Sequence, residues 1–235
     1  MLDASRDYTI LDNGQTPWLT YTVNWQVKQP STLSYGLSIH SVSRFNKSDT
    51  GYAIFTSLPI KDAWRLDANL AFTPGAQVIR KQAIEFWSRH AMSQGWGIAA
   101  GISVTAYPSD NTNDISSQTL MAEVEKYHRN FRFSYRLVNT HIVVPGVTQR
   151  NLLTHVISAA LYHTDRDVVS VFASSGSELE NNGTSNPPIS EVQSLSLDLR
   201  YGLSRAWTLL GTLGTQRQGE LYIRQNINLG LRYVY

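Results

Sequence analysis

Apolar and polar residues alternate with a period of two along most of this chain, the spacing of strands whose two faces meet different surroundings. The C-terminal stretch shows it best. Leu221, Ile223, Ile227, Leu229, Leu231, Tyr233 and Tyr235 share one face, and Tyr222, Arg224, Asn226, Asn228, Gly230 and Arg232 share the other. A run of about 15 residues exceeds the roughly 3–10 of a soluble strand. A tilted membrane-crossing strand needs about 9–11 in its apolar band, plus flanks. The same alternation recurs at residues 19–27, 33–40, 64–72, 98–104, 120–125, 131–137 and 194–201. In several of these segments charges stand mid-strand opposite an unbroken apolar face. A soluble sandwich also alternates, but strand length and aromatic strand ends favour a barrel with a lipid-facing outside and a polar lumen.

Connections fall into two sets that alternate along the chain. Residues 29–31, 59–62, 93–95, 128–130, 164–167 and 202–205 read as short turns. Residues 73–81, 108–114, 145–151 and 175–190 read as longer loops rich in Gly, Pro and Asn. That is the contrast between periplasmic turns and extracellular loops. The pattern predicts an all-β, antiparallel, up-and-down transmembrane barrel of about 14 strands if residues 5–11 form one, and about 12 if the first hairpin lies outside the wall. An even count places both termini on the periplasmic side. Residues 1–16 are either the first strand or a segment in the lumen or periplasm, and 17–235 form the barrel. Strands about 4.8 Å apart and tilted about 40° give 14 of them a backbone radius of roughly 14 Å. Side chains from each wall take about 5–6 Å, so a path of several ångströms remains unless long interior arginines close it.

Composition agrees with this class. Charged residues are 16 % and aromatics 11 %, with 12 Tyr and 6 Trp, whereas a soluble domain carries about 25 % charge. The chain has no cysteine, which excludes disulfides, thiolate metal sites and cysteine catalysis. A formal charge of +2 argues against a nucleic-acid partner. No basic start followed by an apolar run opens the sequence, so Met1 reads as an added initiator on a processed chain or on a domain cut from a longer one. The uncharged run 90–109 contains Gly95, Gly97, Gly101 and Pro108 and reads as two strands around a turn rather than a spanning helix.

The candidate chemistry lies on the predicted inner face. Glu123 and Glu125 share it, and Arg132 and Arg136 face the same way across the next turn. Opposite charges on neighbouring strands either form a constriction that screens solutes or a ladder that fills the lumen. Arg65, Asp67, Glu85, Arg89, Asp198, Arg200, Arg224 and Arg232 point inward by parity, since a charge facing lipid costs about 2–4 kcal/mol at the midplane. Trp87 shares parity with Glu85 and Arg89 and is the aromatic placed to stack on a sugar. Trp18, Trp64, Trp96, Trp207, Tyr201 and Tyr233 read as interfacial girdles. The six histidines sit in no Ser or Asp motif. His163 with Asp165 and Asp167 reads as turn chemistry rather than a metal site. No catalytic residue, metal or cofactor is expected.

Arg217-Gln218-Gly219-Glu220-Leu221-Tyr222-Ile223-Arg224, followed by Leu229-Gly230-Leu231-Arg232-Tyr233-Val234-Tyr235, resembles the end of YaiO-type outer-membrane barrels. Arg44-Phe45 with Asp49, Glu125-Lys126-Tyr127 running into residues 131–136, and Gly176-Ser177-Glu178 are similar too. The resemblance covers most of residues 18–235 and leaves the first 16 outside. Tyr233 and the terminal Tyr235 resemble the signal read by the barrel-assembly machinery. The resemblance implies a bacterial outer-membrane barrel set in lipid and lipopolysaccharide. It implies kinship with the barrels of exopolysaccharide secretins, where helical repeats precede the barrel; none occurs here. The sequence-level expectation is a charged conduit for saccharide or exopolysaccharide. The rivals are a closed barrel docking a periplasmic export partner and, less favoured, an enzyme at the rim.

Overall fold

The computed structural model describes residues 1–28, 32–61, 63–108, 115–144, 148–179 and 189–235. Its strands are β1 (Leu2–Leu11), β2 (Trp18–Val27), β3 (Ser34–Arg44), β4 (Lys47–Lys61), β5 (Trp64–Phe72), β6 (Gln82–Ala91) and β7 (Trp96–Tyr107). They continue as β8 (Ile115–His128), β9 (Phe131–Val144), β10 (Thr148–Tyr162), β11 (Val168–Leu179), β12 (Ile189–Gly202), β13 (Trp207–Gln218) and β14 (Tyr222–Tyr233). Each pairs antiparallel with its sequence neighbours. β1 closes the ring on β14, from Leu2 opposite Tyr233 to Leu11 opposite Arg224. The fold is therefore a closed, fourteen-stranded, up-and-down barrel, which leaves no unpaired sheet edge in lipid. Residues 2–11 are wall, not a plug.

The pleat sorts the side chains as the alternation requires. Leu197, Leu199, Ile227, Leu229, Ile102, Leu120 and Phe133 are exposed on the outer surface. Trp64, Trp96, Trp207, Tyr201 and Tyr233 face outward among them. Tyr233 packs on Trp207 with ring centroids 4.9 Å apart, and Tyr235 lies 6.3 Å beyond it. Trp18 departs from the expected girdle. It is 6 % exposed and faces inward, because it shares the parity of Thr20 rather than that of Leu19. There it packs edge-on against Phe45 and Tyr222, at 5.1 and 6.1 Å, in a small apolar cluster with Leu11. A second cluster of Ile115, Ile142, Val144 and Leu152 lines the same end of the barrel.

Two features of the connections differ from the expectation. β10 starts at Thr148 and β9 ends at Val144, so most of the loop placed at 145–151 is strand. The end with the longer loops also holds a two-residue hairpin. Phe45 and Asn46 both adopt positive φ, 53° and 58°, the pair that a mirror-image turn demands. β5 is the shortest strand and stops at Phe72, opposite Tyr52. Lys47 to Gly51 of β4 therefore have a partner only on the β3 side. The connection 73–81 folds into that gap, and Thr73, Val78 and Ile79 are buried in it.

Candidate functional site

A continuous belt of paired side chains crosses the inner face of β5 to β9. Glu123 on β8 stands opposite Arg136 on β9, and Arg136 donates from Nε to Glu123 Oε2 at 2.6 Å. Arg132 donates from Nη2 to Glu123 Oε1 at 3.1 Å and from Nε to Glu125 Oε2 at 2.7 Å. The Glu123 side chain is 1 % exposed. Two guanidinium groups compensate the burial of its charge, which would otherwise be costly.

The belt continues through Trp87. Its Nε1 donates to Glu85 Oε1 at 2.6 Å. The guanidinium carbons of Arg89 and Arg136 lie 4.7 and 5.1 Å from its ring centroid, within cation–π range. Gly101 on β7 makes the site for the indole, since a Cβ there would stand 2.7 Å from the ring. Arg89 Nε then donates to Asp67 Oδ2 at 2.9 Å, and Arg65 Nε lies 3.2 Å from Asp67 Oδ1. The expected quartet is thus assembled, joined to Arg65, Asp67, Glu85 and Arg89 by the tryptophan between them. With the indole 7 % exposed and two arginines over it, Trp87 offers no free face for stacking on a sugar.

The remaining predicted lumen residues stand apart from the belt. Arg232 holds Asp3 by two parallel bonds of 2.8 Å. Arg224 donates to Gln216 Oε1 at 2.5 Å, lies 3.9 Å from Glu178, and sits 5.6 Å from the Trp18 ring. Arg200 reaches the Asp165 carbonyl at 2.7 Å. Asp198 faces inward between Ser170 and Thr212 of the flanking strands.

From β8 to β12 the inner face also carries hydroxyl pairs. Thr119 meets Thr140 at 3.0 Å, Ser134 meets Ser158 at 2.7 Å, and Ser174 meets Ser194 at 2.7 Å. Such groups donate and accept equally well. A cavity of about 400 Å³ opens beside Ser103, Thr105, Ser117, Thr119, Thr140, Thr154 and Ser174. A second, also about 400 Å³, lies between β1–β3 and β12–β14.

At one end the turns are laced together. Asp167 Oδ1 accepts from the Gly202 amide at 2.8 Å, and its Oδ2 from Thr164 Oγ1 at 2.7 Å. The Gly202 amide, and after it Thr164, hold the Asp167 carboxyl below its ordinary range. At the other end Asp49 is 4 % exposed and receives the amides of Gln77, Val78 and Ile79 at 2.8–3.0 Å. Arg44 Nη2 donates to the Val78 carbonyl. This tethered connection carries Arg80 into the lumen, where it borders two cavities of about 400 Å³ each. Sequence reasoning placed Arg80 in an outside loop. The inward parity of Asp49, three residues into β4, was the signal available.

A closed barrel with an apolar outer band and a polar, charged lumen is an outer-membrane protein. The YaiO membrane beta barrel domain matches residues 1–179, and the chain belongs to that family. The match includes the first 16 residues and ends before the C-terminal hairpin that carried the resemblance. No curated protein sequence matches the chain. Among solved structures, a bacterial polysaccharide outer membrane secretin is similar, with TM-score 0.60 and 9 % identity over 99 % of this chain and 98 % of that one. OmpT, an outer membrane protein of Vibrio cholerae, has TM-score 0.57 and 8 % identity over 100 % and 98 %. The NanC porin has TM-score 0.52 and 9 % identity over the whole of both chains. At these identities the likeness concerns the fold.

Proposed function

We propose that the barrel is a conduit through the outer membrane for a saccharide, driven by diffusion and without covalent chemistry. In this reading the termini face the periplasm and the longer loops face outward. The observation that carries it is the cavity beside β7–β11, where Ser and Thr hydroxyls line the lumen together with Arg80, Glu85, Glu178 and apolar residues such as Met121 and Leu152. Its short Ser and Thr side chains leave room, and their paired donor and acceptor capacity matches sugar hydroxyls. The fold it shares with a polysaccharide secretin and with porins supports the same reading.

Single-channel current through the refolded full chain in a planar bilayer tests it. Stable conductance steps interrupted by added oligosaccharide are expected. Silence from a correctly folded barrel overturns the conduit. The Arg/Glu belt, which crosses the inner face of β5–β9 with paired long side chains, would then favour a closed barrel that docks a periplasmic partner.

A further inference from the structure

We infer that Arg80 forms an anion-binding subsite in the lumen, and that the saccharide it takes is acidic, bearing carboxylates. The inference rests on the conduit reading for its cargo, but the subsite stands on its own geometry. Arg80 borders two lumen cavities at once. Among the described residues it makes no hydrogen bond or ion pair, whereas Arg65, Arg89, Arg132, Arg136, Arg224 and Arg232 all lie within ion-pair range of an acid.

Among the described residues no acid lies within ion-pair range of it, and those nearby have other partners. Glu85 lines both cavities but accepts from Trp87 at 2.6 Å. Glu178 accepts from Gln216 at 3.1 Å and lies 3.9 Å from Arg224. Asp49 gives its carboxylate to loop amides. The loop is also held where it is: three amides on Asp49 and the Val78 carbonyl on Arg44 fix the backbone just before Arg80. A guanidinium on a tethered backbone, without an ion-pair partner among the described residues and bordering a cavity with Ser and Thr hydroxyls, suits one ligand chemistry. It pairs bidentately with a carboxylate while the wall takes the hydroxyls. A neutral sugar uses only the wall.

Two measurements on the refolded chain test this, with oligogalacturonate as the acidic probe and a malto-oligosaccharide of equal length as the neutral one. Binding is read by titration calorimetry in detergent, and block by single-channel current. Wild-type protein is expected to bind the acidic probe more tightly. Arg80→Gln is expected to weaken acidic binding and block about tenfold, the scale of a charge-assisted contact, and to leave the neutral probe within about twofold. Equal affinity of wild-type protein for both probes, or acidic binding unchanged in Arg80→Gln, overturns the subsite. Acidic binding lost in Arg80→Gln from a barrel that passes no current overturns the conduit and leaves the subsite standing.

Discussion

Along β5–β9 the inner wall is joined by long side chains that meet across strands, Arg65 through Glu125 in one chain of contacts. Along β10–β13 it is joined by hydroxyl pairs such as Ser174–Ser194 and, at one end, by turns. Asp167 holds the Gly202 amide, and Arg166 reaches the Trp207 carbonyl at 2.8 Å and Thr208 Oγ1 at 3.2 Å. The difference teaches how a barrel divides wall strength from open space. Paired Arg, Asp and Glu fix β5, β6, β8 and β9 but reach into the lumen, where the hollow beside Arg89 and Glu123 measures about 320 Å³ and the one beside Asp67 and Trp87 about 400 Å³. Short hydroxyls occupy little and stabilise little, and their arc is also cross-linked at the turns.

The largest effect should come from breaking the belt at its buried acid. Glu123→Ala leaves Arg132 with Glu125 but takes from Arg136 the only carboxylate it is seen to hold among the described residues. Removing one partner of a buried pair costs about 3–5 kcal/mol. The arginines here are 26 % and 37 % exposed, so about 3 kcal/mol is expected, read as a lower urea midpoint of the refolded barrel in micelles. An unchanged midpoint would mean that the belt lines the lumen without holding it.

Most of the wall was legible in the sequence, because lipid enforces parity. A residue such as Leu197 or Ile227 must face outward, and its neighbours Asp198 and Asn228 then face in. The quartet Glu123, Glu125, Arg132 and Arg136 followed from parity plus one tight turn. The rest depended on contacts far apart in sequence. The loop 73–81 folds inward because β5 stops at Phe72 while β4 runs on to Asp49, a register fact invisible in either strand alone. Trp18 looked like a girdle residue because it opens a strand, yet its inward neighbours Phe45 and Tyr222 come from two other hairpins. Parity alone puts Trp87 on the inner face, but the arginines that cover it lie on two different strands.

A smaller effect on stability, but a plain one on current, is expected from crowding the other arc. Ser196 borders the cavity between β1–β3 and β12–β14. Ser196→Trp puts an indole into open space rather than into a packed core, so it should cost only about 1 kcal/mol. If the room lies along this arc, conductance in a planar bilayer falls several-fold while the urea midpoint barely moves. A current equal to wild type would place the passage elsewhere and undo the contrast between the arcs.

The smallest effect belongs to the turn that anchors the hydroxyl arc. Folding lowers the Asp167 carboxyl below its ordinary value of about 4. A group whose folded value is depressed contributes stability that is present above the unfolded value and is lost as pH falls through the folded one. Asp167→Asn gives up that contribution at every pH. The melting temperature of the wild-type barrel should therefore exceed that of Asp167→Asn by a constant small margin near neutral pH. The margin should shrink below roughly pH 4 as the carboxyl protonates. A margin that stays flat down to roughly pH 3 would show that the charge on Asp167 adds nothing to the lacing of the turns, which would then rest on the bonds Arg166 and Arg200 make to backbone carbonyls.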